Sequence, residues 1–361
     1  MKIKPNPGIL DIAAYVGGES KADGAQRIIK LSSNENPFGA SPKALEVLTH
    51  DLHLEKYPDG NCLELRKTIA NKFALEESRI VCGAGSDEII GLLCKAYIGP
   101  GDEVMYATHA FLMYGIFARG CGGVPVETPE NNLTPDLDAM LAAVTDKTRM
   151  VFLTNPNNPT GSFNTPAEIK VFREKLRGDI LLVLDDAYAE YAQATQGYEN
   201  GFGLAKNADN IVVLRTFSKI YGLAGLRLGY GYCPVEIADV LNRVRGPFNV
   251  SVPAQIAGIA ALGDDTFIER SVSHNTEWRA WTAEQLVSTG LKIRQSAANF
   301  LLLEYKNAEQ AEGCRQFLKS RGILVRQMGA YKLPSALRVS IGTGEEMNLA
   351  VAAIKEYLEQ V

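Results

Sequence analysis

Lys219 lies in the run Arg215-Thr216-Phe217-Ser218-Lys219-Ile220-Tyr221-Gly222-Leu223-Ala224-Gly225-Leu226-Arg227, between the hydroxyls of Thr216 and Ser218 and eight positions before Arg227. A lysine amine that sheds its proton can attack a carbonyl, and hydroxyls with a guanidinium beside it can hold an anion. The run also reads as a basic loop after the apolar strand Ile211-Val212-Val213-Leu214. Gly83-Ala84-Gly85-Ser86-Asp87-Glu88 follows a strand and opens a helix. The unpaired first-turn N–H groups of Ser86 and Asp87, reached across Gly85, would form a second anion site. Ser86 reads equally as a helix cap. The pattern is not G-x-G-x-x-G, which disfavours a dinucleotide.

Two further segments add chemistry. Asn155-Pro156-Asn157-Asn158-Pro159-Thr160-Gly161 is a specified turn at the C-terminal end of an apolar strand, where ligands bind in parallel sheets. Asn158 could donate there to a phenolic oxygen. Leu181-Leu182-Val183-Leu184-Asp185-Asp186-Ala187-Tyr188 ends a buried run on two carboxylates. A buried Asp185 needs a partner, and the protonated nitrogen of a pyridine ring would serve. A helix cap is the alternative for Asp185. Tyr188 would reach the same oxygen as Asn158. The arginine fork suits carboxylate and phosphate alike, which makes Arg326 and Arg338 candidate anchors for an anionic substrate. For Arg326 the competing assignment is a surface arginine at a strand end.

These residues need a scaffold, and the chain implies one. Seven β-rich runs (79–82, 103–106, 124–127, 150–153, 181–184, 211–214 and 228–232) alternate with helical patterns at 87–97, 137–143 and 166–175. Continuous apolar strands separated by helices predict an α/β fold with a mostly parallel seven-stranded sheet covered on both faces. Ser41-Pro42 predicts a capped helix start, and 63–73 follows amphipathic spacing. Beyond residue 250 a long helical stretch, 253–283, leads to shorter strands at 298–303, 322–326 and 337–341 and a last helix at 347–358. This predicts an arm over 1–30, a large domain over 31–250 and a smaller α+β domain over 251–361 that packs with the arm.

Composition narrows the function classes. The 361 residues carry a net charge of −5, and no Lys/Arg run reaches motif length, which argues against nucleic acid or an anionic membrane as partner. The N-terminus lacks a signal sequence, and no apolar stretch is long enough to span a bilayer. Six scattered cysteines without C-x-x-C and four histidines without H-E-x-x-H predict no metal site. Free thiols fit a reducing cytoplasm.

Taken together, the chain resembles the fold-type-I pyridoxal-phosphate enzymes. Within their class-II branch it is most similar to the histidinol-phosphate aminotransferases. The resemblance runs from Leu31-Ser32-Ser33-Asn34-Glu35-Asn36-Pro37-Phe38-Gly39 and Lys56-Tyr57-Pro58-Asp59 to Leu337-Arg338-Val339-Ser340-Ile341-Gly342. It implies pyridoxal 5'-phosphate joined covalently to Lys219, which acts as catalytic base with Asp185 and Tyr188. By family role, Gly85, Ser86, Asp87, Thr216, Ser218 and Arg227 hold the phosphate. Phe111 stacks on the ring, Asn158 and Tyr188 hold its oxygen, and Asp185 its nitrogen. Tyr15, Asn34, Tyr57, Arg326 and Arg338 would meet substrate. Tyr57 would reach the neighbouring subunit's cofactor, which makes the protein a homodimer with shared sites. The implied reaction passes the amino group of histidinol phosphate to 2-oxoglutarate, in histidine biosynthesis. An aromatic amino-acid aminotransferase and an amino-acid-phosphate decarboxylase share these motifs. A non-catalytic cofactor-binding regulator is disfavoured, since only about 30 residues precede the enzyme-like pattern. The chain departs from the family at Ile220, usually a small residue, and at Asp186, usually Glu.

Overall fold

A computed structural model describes residues 3–22, 24 and 26–361. In chain order the strands are β1 (Ile29–Leu31), β2 (Ile80–Gly83), β3 (Glu103–Ala107), β4 (Val124–Thr128), the short pair β5 (Glu130–Asn131) and β6 (Thr134–Pro135), then β7 (Thr148–Thr154), β8 (Leu181–Asp185), β9 (Ile211–Thr216) and β10 (Gly229–Tyr232). The C-terminal part adds β11 (Lys292–Ile293), β12 (Phe300–Glu304), β13 (Ile323–Gln327) and β14 (Ala336–Ser340).

Seven strands form one sheet in the order β2-β10-β9-β8-β7-β3-β4. All its pairings are parallel except those of β10, which runs antiparallel to β2 and β9. Every residue of β8 and β9 is buried, as expected of strands covered on both faces. Alternation sorts their side chains into two cores. Met150, Phe152, Leu181, Val183, Val212 and Leu214 face helices Ser86–Tyr97, Met113–Gly120 and Val235–Val244. Val151, Leu153, Leu182, Leu184 and Val213 face helices Leu63–Phe73, Pro166–Lys175 and Val252–Leu262. Each fully buried leucine contributes about 1.5–3 kcal/mol of transfer free energy.

The second sheet, β1-β13-β14-β12-β11, is backed by helices Asp265–Val287, Ala308–Ser320 and Gly344–Glu359. Strand β1 joins it in parallel with β13, Ile29 opposite Ile323. Thr343 caps the last helix with a reciprocal Glu346 bond, so it starts three residues before the apolar periodicity.

The expected single helix over 253–283 is two helices. The first ends at Leu262 and the second begins at Asp265. Apolar spacing continues through the break, but Asp264 leaves helical geometry, and its carboxylate accepts a 2.6 Å bond from the Ser41 hydroxyl. That buried contact ties the corner to the cap of helix Pro42–Val47. No helix among the described residues is long and apolar enough to cross a membrane.

Candidate active site

The same alternation that sorts the cores positions the site. Thr154, Asp185 and Thr216 end three adjacent strands. Each lies two residues beyond Phe152, Val183 or Leu214, so all three project to one face at the C-terminal edge of the sheet. A cavity of about 220 Å³ opens there. Its wall includes Tyr15, Asn34, Ser86, Asp87, Phe111, Asn158, Asp185, Tyr188, Thr216, Ser218, Lys219, Arg227, Arg326 and Arg338. Residues from both sheets, from the N-terminal stretch and from five loops thus meet in one space. Gly85 sits just behind this wall. Tyr57 does not line it: the ring is 81% exposed and stacks on Phe248 at 4.5 Å between centroids. A roomier neighbouring cavity of about 650 Å³ shares Tyr15 and Arg326 with the first.

One end of the cavity suits an anion. Gly85, rather than Ser86, takes the cap position of helix Ser86–Tyr97, at a φ of 89° open to glycine. The Glu88 carboxylate accepts from Ala84 N–H, which leaves the first-turn amides of Ser86 and Asp87 for a ligand. The Arg227 guanidinium bridges Ser218 Oγ and Asp87 Oδ2, each at 3.3 Å. A Cβ at Gly85 would lie 2.5 Å from that guanidinium, and one at Gly229 would lie 2.3 Å from Ser86 N. The cradle exists because no side chain occupies either position.

At the middle of the cavity, enclosure and then the charge of Arg338 push the Lys219 ammonium down to about 8, so its neutral amine is accessible near neutral pH. Asp185 is fully enclosed, and burial raises its carboxyl to about 6 despite a 2.6 Å hydrogen bond from the Tyr114 hydroxyl. Asn34 donates to the Tyr188 oxygen at 3.0 Å, and Ser340 donates to Asn34 Oδ1 at 2.8 Å. With its oxygen so filled, the Tyr188 hydroxyl is free to donate into the cavity. Arg338 plays the equivalent part for Asn158: it donates to Oδ1, leaving the amide N–H groups to donate.

The far end carries two arginines. Arg326 and Arg338 are direct partners across β13 and β14. Like charges in that relation repel. Neither has a carboxylate partner among the described residues: Arg326 donates to Val16 O and Arg338 to Asn158 and Ser32 O. Arg338 Nε is buried without a partner. The Tyr15 ring lies 5.9 Å from the Arg326 guanidinium carbon.

The donor set therefore fits a phosphorylated pyridine aldehyde: an anion cradle, an amine with a lowered pKa, donors for a ring oxygen and a carboxylate for a ring nitrogen. No group of three or more His, Cys, Asp or Glu among the described residues could hold a metal. Asp186 turns away from the cavity. Its carboxylate accepts from Gly201 N–H at 2.6 Å, next to the buried Arg215–Glu190 pair. Burial raises it to about 7, against the lowering charge of Arg215.

Sequence reasoning overlooked Tyr114, Thr154 and Tyr331. Tyr114 stands three residues after Phe111 in a helix and reads there as core. Thr154 follows Phe152 by two positions, so strand parity alone would have brought it to the Asp185 face.

A family model described as aminotransferase class I and II matches residues 26–354. The chain is 52% identical over 359 residues to the histidinol-phosphate aminotransferase of Paramagnetospirillum magneticum, covering 98% of each. It is 50% identical to the enzyme of that name from Rhodospirillum rubrum, covering 98% of this chain and 97% of the relative. Among solved structures, the histidinol-phosphate aminotransferase of Sinorhizobium meliloti in complex with pyridoxal-5'-phosphate superposes with a TM-score of 0.91 at 28% identity, covering 100% and 99% of the two chains.

Proposed function

The chain belongs to aminotransferase class I and II, and on that premise we propose that it is a histidinol-phosphate aminotransferase working with pyridoxal 5'-phosphate. The amino group of histidinol phosphate passes to 2-oxoglutarate, giving imidazole acetol phosphate and glutamate. Names of relatives about half identical over the whole chain support the substrate. The observation that carries it is the opposed pair Arg326–Arg338, with no carboxylate partner among the described residues, at the far end of the cavity that Lys219 lines. Two guanidiniums so placed are at ease only with an anionic substrate between them.

Pyridoxal 5'-phosphate, when bound, supplies an aldehyde that exchanges amino groups and a ring that accepts the electrons of a departing proton. Ser86, Asp87, Thr216, Ser218 and Arg227 would hold its phosphate, with Gly85 giving room. Asn158 and Tyr188 would donate to its ring oxygen, Phe111 would lie against the ring, and Asp185 would keep the ring nitrogen protonated. Lys219 would hold the cofactor aldehyde through its Nζ, and the same amine would take and return the proton at the substrate carbon. Arg338 would bind the carboxylate of glutamate and, in turn, the phosphate of histidinol phosphate, which uses the same region. Arg326 and Tyr15 bind the phosphate of histidinol phosphate, with Asn34 between them and Tyr188. The exposed Tyr57–Phe248 stack supports a homodimer in which Tyr57 enters the neighbouring site. We place the arm at 1–30, the cofactor domain at 31–250 and the small domain at 251–361, and the enzyme in the cytoplasm.

Steady-state turnover with histidinol phosphate, phenylalanine and tyrosine as amino donors tests the assignment. Histidinol phosphate should have the highest kcat/KM. A preference for phenylalanine or tyrosine would replace it with an aromatic aminotransferase.

A further inference from the structure

Asp185 alone cannot be relied on to stay ionised and in place, because burial disfavours its charge. The structure surrounds it with a polar chain. Asp185 Oδ2 accepts from the Tyr114 hydroxyl at 2.6 Å, and Oδ1 accepts from Ala187 N–H at 3.3 Å. Tyr114 Oη lies 2.7 Å from Thr154 Oγ1. The direction of this chain follows from proton count. An ionised carboxylate has no proton to give, and Tyr114 has one, so Tyr114 donates to Asp185 and Thr154 donates to Tyr114. The phenol ring is itself fixed. It is fully buried, stacked on Phe152 at 4.3 Å with 4° between planes, and meets Phe111 edge-on at 5.7 Å. Phe152 and Thr154 belong to one face of β7, so a single strand holds both the ring and the hydroxyl of Tyr114.

We infer that Tyr114, oriented by Thr154, is a positioning residue that holds Asp185 against the ring nitrogen of the cofactor. The inference rests on the cofactor assignment above. Tyr114 meets the ring's two contacts at once: its hydroxyl holds Asp185, and its edge holds Phe111. Loss of the hydroxyl leaves the packing intact and removes only the hold on the carboxylate.

The test compares Tyr114→Phe with the wild type in binding two probes, pyridoxal 5'-phosphate and its 1-deaza analogue, in which carbon replaces the ring nitrogen. Tyr114→Phe should weaken pyridoxal phosphate about 10- to 100-fold, the scale of one hydrogen bond to a charged group, and leave the analogue's affinity unchanged. The loaded variant should lose kcat with little change in KM for glutamate. Thr154→Val, which keeps Tyr114 and frees its oxygen, should show the same selectivity to a smaller extent and carries the test if Tyr114→Phe does not fold. Equal weakening of both probes would reduce Tyr114 to a packing role and overturn the inference, as would unchanged affinity and kcat in both variants. Failure of the wild type to bind pyridoxal phosphate would be seen separately. It would remove the cofactor assignment together with this inference.

Discussion

Arg338 Nη1 donates a hydrogen bond to Asn158 Oδ1, joining the C-terminal sheet to a turn of the seven-stranded sheet inside the cavity. A substrate carboxylate that engages Arg338 would therefore be coupled to Asn158, the proposed donor to the cofactor oxygen. Arg338→Lys keeps the charge but loses the planar fork. It should raise KM about tenfold or more for both glutamate and histidinol phosphate, measured in steady state. An unchanged KM for glutamate would exclude Arg338 as the carboxylate anchor.

Lys219 should capture cofactor at lower pH than an ordinary lysine. Only the neutral amine attacks an aldehyde, and the folded-state pKa is depressed to about 8. Capture by the cofactor-free protein should rise with pH through about 8, whereas a free lysine would respond near 10.4. Arg338→Gln removes a charge that lowers this pKa and should move the midpoint upward. Lys219→Ala should give no borohydride-stable adduct in the mass spectrum and almost no turnover.

Asp185→Asn should still load cofactor at saturating concentration, with weakened affinity, yet lose roughly 3 kcal/mol or more of transition-state stabilisation, about a hundredfold or greater in kcat. A wild-type rate would return Asp185 to a purely structural role at the end of β8.

Arg326 and Tyr15 should separate the two amino donors. Arg326→Ala and Tyr15→Ala are expected to damage kcat/KM for histidinol phosphate far more than for glutamate. The opposite pattern, with phenylalanine turnover harmed and histidinol phosphate spared, would withdraw the phosphate assignment.

Mixing inactive Lys219→Ala with inactive Tyr57 variants should restore part of the activity if Tyr57 serves a neighbouring site. Sedimentation of the active enzyme as a monomer would contradict shared sites.

What the sequence disclosed follows from how local each signal is. The strands of the large sheet were readable because both faces of β8 and β9 are buried and their runs are uniformly apolar. Asp185 stood out because it ends such a run with a carboxylate that needs a partner, and Lys219 and Asn158 because they sit in polar loops just beyond such runs. Tyr114 was hidden for the reverse reason: a tyrosine among Met113, Ile116 and Phe117 has the look of an apolar helix face, and only the tertiary meeting with Asp185 reveals its hydroxyl. The break at Gly263–Asp264 was hidden because its cause, the Ser41–Asp264 bond, comes from 223 residues away. The membership of Ile29–Leu31 in the C-terminal sheet was invisible for the same reason, since a three-residue apolar strand carries no record of its partner.

That short strand also dictates an order of events during synthesis. Ile29 pairs with Ile323, and 323 − 29 is 294 residues of chain. At about 5–20 residues per second, the N-terminal segment leaves the ribosome roughly 15–60 s before its partner strand exists. The seven-stranded sheet, complete by residue 232, can form in that interval, while β1 waits with its edge unpaired. The C-terminal sheet then closes last, and it draws the beginning of the chain across the finished cavity. A fragment starting at residue 251 would lack one edge strand of that sheet and expose the flank of β13, an opening for pairing with other chains.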